Sequence, residues 1–520
     1  MINLTIDNQT IQVPQGATIL DAADQLEIEI PTLCFLNDVE PCTSCMVCLV
    51  KIEGRRDMVP ACGTPVAEGM VVITLDETIK EARKAALELL LSEHLGDCMG
   101  PCQVACPATM DIPVMIRQIA AGDMAEAMDT VMADIALPSV LGRICSAPCE
   151  KSCRRAQIDA PVSICLLKRC VGDRDGFVDD PFKRVAPLPT GKKVAIVGAG
   201  PAGLGAAYAL QICGIECTVF DQQDTPGGSL LHDYPEDELP RSVLKADIAR
   251  LQNTGVIFEM GVCIGRDKTL DELSQQFDAV FVAAGLYQDV FDEAFGLDRS
   301  AKGVTFDRAT YASSKAGVFV GGDIVRGRKF PIRALADGKE AAVSMTQHVL
   351  GQTVTGPIKP FNTRMGRLNP EELERLLALV SAEVQVEPEY EAQGFTVGEA
   401  QKEARRCLHC DCRKPDTCQL RQLSHAYAAK PTRYKSDRRA LTLNNEHDQV
   451  IYESGKCISC GLCVKITEAM GETLGLTFVG RGFNLRVAVP LNGALADALT
   501  RTARHCVDAC PTGALAMKER

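Results

Sequence analysis

The chain has no tryptophan and only 7 histidines, and aromatic residues fill 5% of its 520 positions. That is a poor supply for a single-strand nucleic-acid surface, which stacks bases on aromatic rings. Positive charge is also short. Lys and Arg total 55 against 68 Asp and Glu, a net charge of −13, which is the wrong sign for binding phosphate backbones. No apolar run approaches the ~20 residues of a membrane-spanning helix. The opening Met1–Asp7 alternates apolar and polar residues and lacks the basic and apolar regions of a secretory signal. A cytoplasmic location, no membrane span and no nucleic-acid partner are therefore expected. No nucleophile–base pair or triad pattern stands out, so no catalytic residue is assigned.

The residue in excess is cysteine, at 25. A reducing compartment does not keep disulfides, which leaves metal ligation as the use for so many thiols. With 46% hydrophobic residues there is material for several cores, and the length fits three or four domains of about 100–200 residues each. The cysteines fall into groups at 34–62, 98–170, 407–418 and 457–510. Between residues 171 and 406 there are only Cys213, Cys217 and Cys263, so the middle of the chain is a domain of a different kind.

Residues 2–6 and 10–13 alternate as a hairpin turning at Asp7-Asn8-Gln9, and Ile19–Leu26 reads as a helix capped near Thr18 or Gly16. Then come Cys34, Cys45, Cys48 and Cys62 in C-x10-C-x2-C-x13-C spacing. Four thiolates on a loop of a small β-rich fold suit a 2Fe–2S cluster, with zinc as the other reading. Residues 1–78 resemble the 2Fe–2S domain of the complex I large iron–sulfur subunit and of iron-only hydrogenases. That resemblance implies a β-grasp ferredoxin domain.

A helix over 79–93, with Ile79, Ala82, Ala86, Leu89 and Leu90 near one face, opens the next module at 79–185. It carries His94-x3-Cys98-x3-Cys102-x3-Cys106-Pro107 and, about 40 residues on, Cys145-x3-Cys149-x3-Cys153. Two such runs can exchange ligands between two cubane clusters. The stretch resembles the helical double-cluster domain of the glutamate synthase small subunit and dihydropyrimidine dehydrogenase. The resemblance implies one 4Fe–4S cluster on Cys98, Cys102 and Cys153 and another on Cys106, Cys145 and Cys149. The family's first cysteine has no counterpart before Cys98, and His94 stands near its place. His-x3-Cys also resembles the histidine-ligated cluster of complex I and the hydrogenases, so His94 is assigned to the first cluster. A surface histidine is the alternative. The family's downstream-helix ligand falls near Lys168, which cannot serve as a cation. Cys165, one turn earlier, is the candidate, against an ordinary buried cysteine.

The central domain, 186–355, opens with the strand Lys193–Val197, then Gly198-Ala199-Gly200-Pro201-Ala202-Gly203, a helix from Leu204 to Ile212, and a second strand ending at Asp221. Glycines for the tight turn and close phosphate approach, a helix N-terminus and a downstream acid make a dinucleotide site. Gly227-Gly228 and Gly321-Gly322-Asp323 follow, with a helix from about Ile332. Here the glutamate synthase small-subunit resemblance continues. It implies FAD held by Gly198, Gly200, Gly203, Asp221, Gly228, Gly322 and Asp323, the last on the ribityl chain. In that family a second nucleotide domain interrupts the FAD domain. Only about 30 residues separate Gly285 from Gly317, too few for one. Direct NAD(P)H binding is therefore not expected.

Residues 356–430 read as a linker, with a helical stretch near Pro370, that carries Cys407, Cys410, Cys412 and Cys418. This group suits a 4Fe–4S cluster or structural zinc. Its Arg-Cys-Leu-x-Cys also resembles the opening of the double-cluster module in the relatives, and folding back to complete that module is the other reading. The last domain, 431–520, has Cys457, Cys460, Cys463 and Cys510-Pro511. It resembles a bacterial ferredoxin reduced to one 4Fe–4S cluster, with Cys506 left over.

The expected architecture is multidomain α/β and α+β: a β-grasp 2Fe–2S domain, a helical double 4Fe–4S domain, a Rossmann-like FAD domain and a ferredoxin-like domain. The expected cofactors are FAD, one 2Fe–2S cluster and three or four 4Fe–4S clusters. Such a chain relays electrons within a multi-subunit oxidoreductase. Partners would be a hydrogenase, a molybdenum or tungsten formate or aldehyde dehydrogenase, an NAD(P)H-oxidising subunit or a ferredoxin, and flavin-based bifurcation is conceivable. The alternatives are a self-contained NAD(P)H- or ferredoxin-dependent oxidoreductase like the glutamate synthase small subunit, and a scaffold whose cofactors are structural.

Overall fold

In a computed structural model of the chain, residues 1–174, 188–286, 294–300, 303–327, 330–434 and 440–518 are described. They form two compact units. The first gathers Met1–Met99, Pro360–Leu377 and Cys410–Arg520; the second gathers Gly100–Lys359 and Ala378–His409. The stretch 356–430, expected as a linker, is thus divided between both units. Its pieces bury their own side chains, among them Thr363, Met365, Leu368, Phe395, Ala404 and Arg406. The domain boundary expected at 185/186 lies outside the described residues.

The first unit begins with the hairpin Ile2–Ile6 and Gln9–Val13, joined by Asp7 and Asn8, both at positive φ as a two-residue type I′ turn requires. Ile2–Ile6 also pairs in parallel with Met70–Ile73. The five-stranded sheet continues through Leu49–Ile52 to Val59–Pro60. Helix Ile19–Gln25 starts at Thr18, whose side chain and Asp21 form a reciprocal capping box. Its buried face packs with Leu4, Ile6, Val50 and Val72 into one core that also holds Cys48 and Cys62.

Helix Glu77–Ser92 is capped by Asp76, which also pairs with Lys51 at 2.6 Å. Its buried stripe is Ile79, Arg83, Ala86, Leu87 and Leu91, while Leu89 is 55% exposed. The expected face was centred too far round the helix. Leu87 and Leu91 continue the 3.6-residue period from Ile79, and Leu89 falls beside it.

The C-terminal part of this unit has a three-stranded antiparallel sheet, Leu443–Asn444, Val450–Glu453 and Leu515–Met517, with helices Leu462–Ala469 and Ala503–Ala509. Its core is Val450, Ile466, Val487, Leu495, Leu499, Cys506 and Leu515.

The second unit joins a helical part to a parallel sheet. Helices Ile112–Ala121, Met124–Met132, Pro138–Ile144 and Ile164–Gly172 bury Met115, Ile116, Met128, Val131, Leu141 and Leu167 together. Helix Val397–Ala404 adds Ala400 and Ala404 to the same core. The sheet runs Val318–Val320, Ala279–Val282, Lys193–Val197, Glu216–Asp221, Ile257–Met260, all parallel. Strand Val318–Val320 pairs directly with Ala279–Val282. Among the described residues the strands between them are the two-residue-per-strand hairpin Arg299–Ser300 and Gly303–Val304. Helices Pro201–Gln211 and Pro331–Val349 cross closely: a Cβ on Gly338 would lie 2.0 Å from the Ala202 carbonyl oxygen. No helix among the described residues is long and apolar enough to cross a membrane.

Candidate iron–sulfur and dinucleotide sites

Cys34 and Cys45 lie with sulfurs 3.3 Å apart, and Cys48 and Cys62 3.4 Å apart, all buried. Two thiolates on one iron at about 2.3 Å sit about 3.7 Å apart. Two close pairs side by side therefore match two irons, each with two cysteines, as a 2Fe–2S cluster needs. Contact with the Cys45 and Cys62 thiols pulls the Cys34 thiol below its usual value. Cys42, outside the spacing of those four, lies against the C-terminal cysteine loop. A Cβ on Gly461 would be 2.9 Å from its sulfur.

Cys457, Cys460, Cys463 and Cys510 line one small cavity with Tyr452, Leu462 and Thr512. Gly461, at φ +82, lets the loop turn between the second and third cysteines before helix Leu462–Ala469 begins. Burial raises the Cys460 and Cys463 thiols, an apolar pocket that favours a delocalised cluster over free thiolates. Cys506 is fully buried behind them in the core, as a leftover thiol would be.

In the second unit Cys106, Cys145, Cys149 and Cys165 surround Lys168. The Cys145 contact lowers the Cys165 thiol, but Cys149 and burial outweigh it and push it up to about 12. The Cys165 amide donates to Glu150 at 2.8 Å, which seats this end of helix Ile164–Gly172 on the Cys149 turn. Burial works against the Lys168 ammonium, and its proximity to Cys165, Cys145, Cys149 and Cys106 acts the other way and raises it. Sequence reasoning excluded Lys168 as a ligand. The structure buries it one turn along the helix from Cys165, among these thiols.

Cys102, Cys153 and Cys407 pack on the same helical core. The chain at 406 lies on the loop after Cys153: Arg155 donates to the Arg406 carbonyl at 3.1 Å, and Arg406 donates to the Ala160 carbonyl at 2.9 Å. Arg406 also pairs with Glu403 at 2.7 Å, both fully buried. The expected quartet of Cys407, Cys410, Cys412 and Cys418 is divided between the two units. Cys407 belongs to the second unit, and the other three to the first. Cys98 likewise falls in the first unit, and Cys102 and Cys153 in the second. The reason is local. Cys98 lies in a loop held by residues of the first unit: Thr363 reaches its sulfur at 3.3 Å and Asn362 accepts from the Met99 amide at 3.0 Å.

His94 is not a surface residue. Burial and the neighbouring Lys456 lower it to about 4, so its imidazole is neutral, and Nδ1 has no hydrogen-bond partner.

The dinucleotide motif lines a cavity of about 290 Å³ formed by Gly198, Gly200, Asp221, Gly228, Asp323 and Ala334, among others. Gly198 has φ +108, and a Cβ there would be 2.3 Å from the Ala283 carbonyl. Asp221 accepts from the Ala199 amide at 2.7 Å and the Gln223 amide at 2.9 Å, which fixes the turn and leaves lone pairs for a ribose hydroxyl. Below Asp323 lies a network that sequence reasoning missed. Asp337, fully buried, receives Arg326 Nε at 2.6 Å, Arg333 Nε at 3.0 Å, the Tyr311 hydroxyl at 3.1 Å and the Gly322 amide at 3.2 Å. No glycine or motif pattern marks it. Its only trace is a buried-side Asp within an otherwise apolar helix face.

The sequence matches a 2Fe-2S iron-sulfur cluster binding domain over residues 1–77, dihydropyrimidine dehydrogenase domain II with a 4Fe-4S cluster over 77–176, and an NAD(P)-binding Rossmann-like domain over 196–240. These matches define an iron–sulfur oxidoreductase chain. Within that class the resemblance to glutamate synthase small-subunit-like proteins, here with an N-terminal 2Fe–2S domain, is borne out by relatives. NADPH-Fe(3+) oxidoreductase subunit beta of Geobacter sulfurreducens is 33% identical over 51% of this chain and 42% of its own length. NADP(+)-dependent formate dehydrogenase subunit beta of Moorella thermoacetica is 35% identical, over 43% and 36%. The glutamate synthase [NADPH] small chain of Bacillus subtilis is 36% identical, over 40% and 44%. The chain thus spans less than half the length of these three relatives.

Proposed function

We propose that this chain is the FAD- and iron–sulfur-containing electron-transfer subunit of a multi-subunit oxidoreductase, with terminal chemistry on a partner. The observation that carries the reading is the contiguity of thiol sites in the first unit. Cys34 and Cys45 of the 2Fe–2S site, Cys418, and Cys460 of the C-terminal site belong to one apolar cluster with Leu33, Val47 and Leu462. Cys418 and the Cys510 loop are joined as well: the Leu420 amide donates to the Pro511 carbonyl at 3.1 Å. Redox centres held this way have dry, short paths for single electrons, and a flavin couples such carriers to two-electron reactions.

FAD is favoured for the dinucleotide cavity because Asp323, from the second glycine–aspartate turn, lines it together with Gly198 and Asp221. Within the chain, Gly198 and Gly200 would admit its pyrophosphate, Asp221 would hold a ribose hydroxyl, and Asp323 would bind the ribityl chain. The candidate cluster ligands are the cysteines grouped above, with His94. Formate dehydrogenase- and NADPH oxidoreductase-type relatives support partners of those kinds.

The test is anaerobic reduction of the isolated chain. Dithionite is expected to reduce clusters and flavin together, and NADH or NADPH alone to leave the flavin oxidised. Flavin bleached rapidly by NADPH would return the self-contained reading, and a flavin that lags far behind the clusters would favour the scaffold.

A further inference from the structure

We propose that His94, Cys98, Cys412 and Cys418 hold one 4Fe–4S cluster, a site built from two stretches of chain that flank the second unit. This rests on the iron–sulfur reading above and adds a ligand set to it. The Cys412 amide donates to the Cys98 carbonyl at 3.4 Å, which sets the two cysteine-bearing loops side by side. All three cysteines are buried. Cys412 and Cys418 both lie on the loop after Cys510. A Cβ on Gly513 would be 2.4 Å from the Cys412 sulfur, and Cys418 contacts the Pro511 carbonyl at 3.7 Å.

The Cys98 side is equally fixed. Thr363 donates to the Gly96 carbonyl at 2.7 Å, and Asp97 accepts from the Met365 amide at 2.7 Å. His94 comes from the same turn, anchored by the Leu95 amide to the Gly455 carbonyl at 2.7 Å. Its buried Nδ1 has no partner in the protein, a cost that ligation would remove.

Gly96 and Gly513 both border Lys456. A Cβ on Gly96 would be 3.1 Å from the Lys456 stem and 3.2 Å from His94 Nε2, and one on Gly513 would be 3.7 Å from the Lys456 stem. Lys456, ion-paired to Glu453 at 2.7 Å, therefore runs between the two halves of the site and next to Cys457 of the C-terminal cluster. Three cysteine sulfurs and one imidazole nitrogen are a soft donor set suited to iron–sulfur ligation. Cys98 lies just before the chain first leaves the first unit, and Cys412 just after it last returns.

The test uses the full chain purified anaerobically. Cys98→Ser and Cys412→Ser are each expected to lose about four irons, and the double variant about four and not about eight, because both act on one cluster. Retained flavin and the 2Fe–2S signal show that the variants fold. In wild-type protein with 14N- or 15N-labelled histidine, one reduced 4Fe–4S signal should show nitrogen hyperfine coupling that His94→Ala abolishes. A loss of about eight irons in the double variant, zinc in place of iron, or nitrogen coupling that survives His94→Ala would overturn the assignment. A wild-type chain without iron would sink the functional reading itself.

Discussion

Replacing Asp337 by Asn keeps the shape of the residue and removes the charge that two arginines face. Asp337 is fully buried, whereas Arg326 and Arg333 are 35% and 32% exposed. Breaking a buried ion pair by removing one partner costs about 3–5 kcal/mol. Arg333 keeps Glu340 at 3.4 Å, and both guanidiniums can turn partly into water, so the low end, about 3 kcal/mol, applies. The same carboxylate accepts from the Gly322 amide at 3.2 Å and so holds the turn that presents Asp323 to the dinucleotide cavity proposed for FAD. Urea-induced flavin release should therefore shift. With a slope of about 2–3 kcal/mol per molar, the midpoint is expected to fall by about 1–1.5 M. Flavin fluorescence against urea at neutral pH reads this directly. An unchanged midpoint with wild-type flavin content would refute the reasoning, because it would mean the arginines lose nothing when the charge goes.

Cys165→Ala is expected to cost about four irons per chain, whereas Cys170→Ala, five residues on in the same helix, should cost none; iron analysis with the flavin content as internal standard separates them. Gly198→Ala places a Cβ 2.3 Å from the Ala283 carbonyl at a φ of +108, so flavin absorbance per chain should fall sharply while iron content stays. Asp247 is buried and, despite Arg250, the Val140 amide and Ser139, is raised to about 6. A carboxyl raised in the folded state gives stability that is full below its unfolded value near 4 and is lost as pH rises through about 6. The stability difference between wild type and Asp247→Asn should therefore slope downward across pH 4–6 and flatten above about 7. A flat difference would show that Asp247 is not shifted.

The sequence carried the local signals well. The hairpin at Ile2–Val13, the Thr18 cap, the strand–glycine–helix unit at Lys193–Gln211 and the helix from Pro331 are set by alternation, capping and glycine spacing within a few residues. The cysteine groups with short internal spacing, such as Cys457 to Cys463, were legible for the same reason. Cys98 and Cys412 were not. They are 314 positions apart in numbering, and their adjacency depends on where the chain re-enters the first unit, which no periodicity records. Spacing joined Cys98 to Cys102, but the hydrogen bonds of Asn362 and Thr363 tie Cys98 to the first unit. The Asp337 network escaped for a related reason. Its donors are Arg326, Arg333, Tyr311 and Gly322, and only the folded turn gathers them. Leu89 shows the limit of a helix face drawn from apolar residues alone, since Arg83 takes part of the buried stripe through its bonds to the Leu49 and Thr74 carbonyls.

The central claim is that the chain is a line of redox centres around one flavin. It is tested most directly by counting centres on anaerobically purified protein, with iron and flavin analysis alongside a dithionite titration followed by electron paramagnetic resonance. The account predicts about 18 irons and one FAD per chain, and about seven reducing equivalents spread over one 2Fe–2S, four 4Fe–4S and one flavin signal. Fewer than about ten irons, or a chain that takes up no more than about two electrons, would contradict it.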